Sequence, residues 1–272
     1  MPNTTRARAA GGDRSPGPID SNVVGSPALV FANTKSLLFD GTNDFIESTQ
    51  NGGFDLNFED FGLTVTNQIT IAFWHKESNS SRGSFDGIYA VTSTSSWTNG
   101  FGAYWAMNSL TMWWQTFNGV NTVQSAQTGG FINAWHHYAY VYDGDLGSAR
   151  AKIYVDGVED NSAAGSDLSL TGGDNVLEIG QAITNFDIQG NIDEFAIWNT
   201  PLTASNISQL FNGGDNADPE SRAAAVAGAN LMVWYRMGDN GDALGDEGIL
   251  DNSGNGNDAT AQGNTSIATD VV

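Results

Sequence analysis

WHHYAYVYDGDLGSARAKIYVDG, residues 135–157, decides the fold. Trp135, His137, Ala139 and Val141 alternate with His136, Tyr138, Tyr140 and Tyr142. A period of two marks a β-strand with two distinct faces. The pattern resumes at residues 150–156, with Ala151, Ile153 and Val155 on one face and Lys152 and Tyr154 on the other. Asp156-Gly157 then supplies a two-residue turn whose positions both accept positive φ, a strong local hairpin signal. A helix of this length could not hide both faces of so aromatic a segment. The stretch therefore reads as two strands of one hairpin.

Outward from it, residues 35–45 read as the first long strand and its loop. Residues 68–75 form another strand, with Ile69, Ile71 and Phe73 on one face. Further strands fall near 87–92, 100–107 and 110–117, and 176–180 and 190–198 close the sheet pair. Residues 77–85, 92–100 and 159–175 read as loops. Thr203 caps a short helix to Phe211, with Ile207 and Leu210 facing the core and Gly213 ending it. Asp218-Pro219-Glu220 starts a second helix through residues 223–226. Many short strands between turn residues predict an all-β sandwich, with short helices near the C-terminus. Three segments follow: an extended arm over residues 1–34, the sandwich over 35–214, and a C-terminal appendix over 215–272 that packs on or completes it.

The 272 residues include 14 Phe, 8 Trp and 7 Tyr, enough for a large core. A formal charge of -21 excludes nucleic-acid binding by phosphate neutralisation and docking on an anionic membrane. The absence of cysteine excludes disulfides and thiol chemistry. The first thirty residues contain no apolar run, so no signal peptide is expected, and no stretch is apolar enough to span a bilayer. The arm carries Arg6, Arg8 and Arg14 and prolines at 2, 16, 18 and 27, which deny it a continuous helix or central strand. It is expected to order only by docking on a neighbour in an assembly.

Four motifs in order carry a resemblance. They are residues 38–46 (LFDGTNDFI), the Trp135-His136-His137 strand with its two Asp-Gly turns, Ile179-Gly180, and residues 190–198 (GNIDEFAIW) followed by Pro201-Leu202-Thr203. The chain resembles a laminin-G-like domain of the concanavalin A-like lectin/glucanase superfamily over roughly residues 36–214, which implies an all-β fold of two antiparallel sheets in a jelly-roll β-sandwich. Residues 233–239 and 251–258 resemble a segment that precedes the first core strand in many such proteins, whereas here it follows the domain. That arrangement is similar to structural proteins of tailed bacteriophages.

Three chemistries follow. Glucanases of the superfamily use paired carboxyls, but Asp193 and Glu194 are adjacent on a strand and should point to opposite faces. No enzyme activity is expected, and His136 and His137 read as structural. The resemblance implies a structural Ca2+ held by Asp40, Asp44 and Asp193 with the Gly41 carbonyl. The competing reading makes Asp40-Gly41 a turn and Asp193 an acceptor for backbone donors. Asp239, Asp242, Asp246 and Glu247 form a second acidic cluster without the spacing of a calcium loop. For sugar stacking, Trp97 with Asn99 lies in a polar loop. Trp113 and Trp114 are adjacent, so one of them must face outward unless a second layer covers it, and Trp114 joins the candidates; the competing reading has each of these tryptophans fill core or an interface. The expected function is a non-catalytic interaction module, a bacteriophage virion structural protein such as a capsid decoration or appendage subunit. It would be assembly-bound through its arm, with host-surface glycans as further partners. The alternative is a calcium-dependent carbohydrate-binding lectin, extracellular or on a cell surface; behind both stands a glycan hydrolase.

Overall fold

Alternation of apolar and polar residues produces two sheets whose inner faces meet in one core. The computed structural model describes residues 32–50, 54–55, 68–78, 85–92, 101–106, 111–116, 121–126, 131–164, 176–182, 186–216, 218, 222–244 and 248–272. All belong to one unit, Phe31–Val272; residues 1–31 of the expected arm lie outside the description.

The strands are β1 (Ser36–Asp40), β2 (Phe45–Gln50), β3 (Phe54–Asp55), β4 (Gln68–Glu77), β5 (Phe85–Thr92), β6 (Phe101–Ala106), β7 (Thr111–Thr116), β8 (Asn121–Gln124), β9 (His136–Asp143), β10 (Ala151–Val155), β11 (Val158–Ala163), β12 (Val176–Ile179), β13 (Gln189–Trp198), β14 (Leu231–Tyr235), β15 (Ala259–Gln262) and β16 (Ser266–Ala268). The first sheet runs β11-β10-β9-β4-β13-β1-β16, with β14 also on β13. The second runs β15-β2-β12-β5-β6-β7-β8, with β3 on β2. Every strand pair is antiparallel.

The organising hairpin forms as read. β9 pairs with β10 from Ala151–Tyr142 to Val155–Tyr138. Asp156 and Gly157 take φ of 49° and 78°, the two positive values that a tight hairpin turn needs. The chain continues past that turn as β11, where a loop was expected. Its polar sequence belongs to an edge strand, paired on one side only. Tyr138, Tyr140 and Tyr142 point into the sandwich core. Ala139 and Val141 point outward and are buried as well.

The reason is a second, outer layer. The helix α1 (Ala204–Phe211) lies on the first sheet and buries Ile207 and Leu210 against Val141, Tyr154 and Trp198. Thr203 caps it through a reciprocal bond with Asn206, and Asn212 ends it in the left-handed region. Among the described residues, the segment of the expected second helix forms one 3-10 turn, Ala223–Ala225. Arg222 before it is extended, Ala227 after it has φ of 48°, and the Arg222 guanidinium is drawn to Glu194. Residues 219–221 lie outside the description.

Residues 231–272 supply strands to both sheets: β14 and β16 join the first, β15 the second. Among the described residues no strand lies beside the outer edge of β14, where Tyr235 forms an isolated bridge with Asp251. The loop after it saturates that edge with side chains instead: Asn255 Nδ2 donates to Leu231 O (2.9 Å) and Asn257 Nδ2 to Met232 O (2.9 Å), while Asp251 Oδ1 accepts from Trp234 N (3.0 Å). An edge covered in this way cannot pair with another chain.

In β5, a Cβ at Gly87 would lie 2.2 Å from Ala182 N and 2.5 Å from Phe186 O, both backbone atoms. Gly87→Ala is therefore expected to cost about 3 kcal/mol, the upper end for overpacking. A urea midpoint within error of wild type would contradict this close approach.

Candidate functional site

The Asp193–Glu194 pair sits at a discontinuity of β13. Residues 189–192 of β13 pair with β1, and residues 195–198 pair with β14, along the same edge. β1 therefore begins, and β14 ends, opposite the step between them. There β13 is bulged, and Glu194 takes φ of 49°. The bulge breaks the alternation, so the two carboxyls do not point to opposite faces as expected. Both enter one buried network built from the two chain ends that meet at the gap.

Glu194 Oε1 accepts from Arg222 Nη1 and from Arg236 Nε (3.2 Å), and Oε2 accepts from Trp234 Nε1 (2.5 Å). Arg236 Nη2 donates to Ala32 O (3.1 Å) and lies 3.6 Å from Asp239. Asp239 accepts from Thr34 N (2.8 Å) and Thr34 Oγ1 (2.6 Å), and Asp193 from Asn33 Nδ2 (2.9 Å). The last three residues of the expected arm are thus tied into the first sheet. Burial pushes Asp193 well above the usual carboxylate range, and the Glu194 charge adds to the shift. Burial also raises Glu194, against the pull of both arginines. Arg222 and Arg236 escape a reading of residue types because nothing in their local sequence marks a partner.

The four residues expected to hold calcium are not gathered together. Asp40 stands opposite Gln189 in the β1–β13 register, while Asp193 lies beyond the Leu37–Ile192 pair. Four residues along a strand separate the two by roughly 13 Å. Asp44 accepts from Asp40 N (2.7 Å) and Asn264 N (2.5 Å). Gly41 has φ of 87° in the turn between them. Asp242 of the second acidic cluster accepts from Gly238 N and Leu250 N, both at 2.8 Å; Asp246 and Glu247 lie outside the description.

Trp97 and Asn99 also lie outside the described residues. Trp114 is corrected: its ring is buried in the sandwich core, stacked on Tyr140 at 5.7 Å, and presents no face to a sugar. Its neighbour Trp113 takes the outward position. Gly87, Tyr104, Trp113 and Gln124 form one cross-strand row on the outer face of the second sheet. Trp113 stacks on Tyr104 (5.7 Å, 27°), and Phe85 meets Tyr104 edge-on at 5.0 Å. Phe85 is 39% exposed, Trp113 is half-buried, and Gln124 ends the row as an exposed amide. Rings beside an amide can stack on the apolar face of a sugar and hold its hydroxyls.

A groove of about 270 Å³ lies on the outer face of the first sheet beside α1. Its floor is Val141, Tyr154 and Leu202, and its rim carries Leu146, Arg150, Lys152 and Glu159. Glu159 Oε2 accepts from Lys152 Nζ (3.0 Å) and Tyr154 OH (3.3 Å). Burial and the Glu159 charge push the Tyr154 phenol up to about 12, so it remains a donor.

The two histidines are structural parts. His136 Nδ1 lies 2.8 Å from Asp156 Oδ2, and His137 is buried against Trp74 and Phe211. Burial lowers His137 to about 4, against the opposing pull of Asp156. In the unfolded chain it titrates near 6.5, so between pH 6.5 and 4 only the unfolded state carries the proton. Its contribution is full above pH 6.5 and falls by up to about 3 kcal/mol as pH drops through that window. Asp242, raised to about 6 by burial, acts in the opposite sense. The deficit of His137→Asn relative to wild type is therefore expected to be larger at pH 7 than at pH 4.5. Equal deficits would show that the imidazole titrates normally in the fold.

The chain belongs to the laminin-G-like family of the concanavalin A-like lectin/glucanases superfamily, whose model matches residues 48–208. No curated protein matches it by sequence. Among solved structures, it is similar to a candidate carbohydrate-binding protein from Bacteroides ovatus. Identity is 17% and the TM-score 0.58, over 88% of this chain and 60% of that one. It is also similar to the heptameric SAP-like pentraxin of Limulus polyphemus, at 15% identity and a TM-score of 0.51, over 66% of this chain and 82% of that one. A sialidase from Trypanosoma rangeli matches at 14% identity and a TM-score of 0.49, over 69% of this chain and 28% of the enzyme.

Proposed function

Starting from a laminin-G-like sandwich, we propose that this protein is a non-catalytic interaction module that binds carbohydrate. The observation that carries the reading is the row of Tyr104 and Trp113 ending in Gln124 on the outer face of the second sheet, with Phe85 edge-on to Tyr104 at its side. The fate of the acidic pair supports binding without cleavage. A glycosidase needs two carboxyls free to flank a sugar, whereas Glu194 is spent on two arginines and an indole. The test is retention on insoluble polysaccharides together with an assay for released reducing ends. Retention without release, weakened in Trp113→Ala at unchanged melting temperature, is the expected result. Release of reducing ends, or retention unaffected by Trp113→Ala, would overturn it.

A narrower assignment, to a bacteriophage virion subunit docked through its arm, draws its support from the sequence: the basic, proline-rich residues 1–31 in a chain of charge -21. Deleting residues 2–30 spares Ala32, Asn33 and Thr34 and should leave the melting temperature unchanged while abolishing assembly. A truncated protein that assembles normally would remove that assignment.

A further inference from the structure

We infer that the groove beside α1 is a second saccharide subsite, taking one or two rings of a neutral sugar, on the sheet opposite the aromatic row. The inference rests on the carbohydrate-binding reading and adds a second valence to it. The volume of about 270 Å³ is just below the roughly 300–1,000 Å³ usual for small-molecule sites. The floor is apolar and closed: Val141, Tyr154 and Leu202 are each no more than 4% exposed. Leu146, 40% exposed, forms a wall that a ligand would cover.

The rim fixes the ligand class. Arg150 and Lys152 supply donors, Asp143 and Glu159 supply acceptors, and the two signs balance. Lys152 and Tyr154 both hold Oε2 of Glu159. Its Oε1 has no hydrogen-bond partner among the described residues. Balanced donors and acceptors around an apolar floor suit hydroxyls above a pyranose face. They give an anion no net attraction, and a chain of charge -21 repels one at long range. Arg150 is braced by donation from Nε to Leu146 O at 2.6 Å, so rim and wall are held together before any ligand arrives.

Calorimetric titration with soluble neutral and uronic-acid oligosaccharides tests this, on wild type, Trp113→Ala, Leu146→Arg, Glu159→Gln and Trp113→Ala/Leu146→Arg. Two classes of site are expected in wild type. One should remain in Trp113→Ala, at least tenfold weaker in Glu159→Gln and absent from the double variant, with melting curves of the single variants unchanged. Loss of all binding in Trp113→Ala would overturn the second subsite and leave the carbohydrate-binding reading intact. Binding unaffected by both Leu146→Arg and Glu159→Gln would overturn it equally. A residual site preferring uronic-acid sugars would overturn the ligand class. No binding by wild type to any sugar would be the failure of the carbohydrate-binding reading itself, taking this inference with it.

Discussion

Glu194→Ala is expected to lower the unfolding free energy by about 3–5 kcal/mol, the cost of removing one member of a buried ion pair. For a domain of this size that is a fall in melting temperature of roughly 6–20 °C. The variant leaves Arg222 and Arg236 buried and facing the same vacated site, each 3% exposed or less. The Trp234 indole N–H loses its acceptor as well. Because Arg236 also holds Ala32 O and lies beside Asp239, the loss should propagate to both chain ends that meet at the β13 step. Amide exchange should accelerate at the start of β1 and the end of β14 before it does in β9. Glu194→Gln keeps an acceptor for Trp234 and should retain part of the stability. A stable Glu194→Ala variant that loses a hydrolytic activity present in wild type would make this carboxylate catalytic instead of structural.

That carboxylate also marks where local reading ends. The β9–β10 hairpin is legible because its determinants are local: alternating aromatics, then Asp156-Gly157 with both residues at positive φ. The helix α1 is legible for the same reason, through Thr203, Asn206 and the Ile207–Leu210 spacing. Strict alternation along β13 gave the wrong face for Glu194. The bulge that turns it is fixed by Arg222 and Arg236, 28 and 42 residues away in sequence. β11 was hidden because an edge strand needs few apolar residues. The choice between Trp113 and Trp114 could not be made from their adjacency. It follows from the register of β6, β7 and β8, which puts Trp114 opposite Ala103 and Val123 in the core and Trp113 between Tyr104 and Gln124 outside.

Asp44→Ala should be the second severe lesion, at about 2–6 kcal/mol. Asp44 is fully buried, and its two oxygens accept from two backbone amides: Asp40 N at 2.7 Å, within its own turn, and Asn264 N at 2.5 Å, in the turn between β15 and β16. Deleting the carboxylate leaves both donors unsatisfied, and each such buried group costs about 1–3 kcal/mol. The two turns are in close contact: a Cβ at Gly263 would lie 2.1 Å from Asn43 O and 2.6 Å from Asp44 Oδ1. Side-chain relaxation therefore cannot bring another acceptor into the gap. Asp44→Asn keeps one acceptor oxygen and should recover about half of the loss. The deficit of Asp44→Ala is expected to be equal in millimolar calcium and in excess chelator, since both oxygens already serve amides in the fold. A deficit that appears only with calcium present would restore Asp44 to the role of a cation ligand, and the link between the first turn and the C-terminal strands would then have to be carried by other contacts.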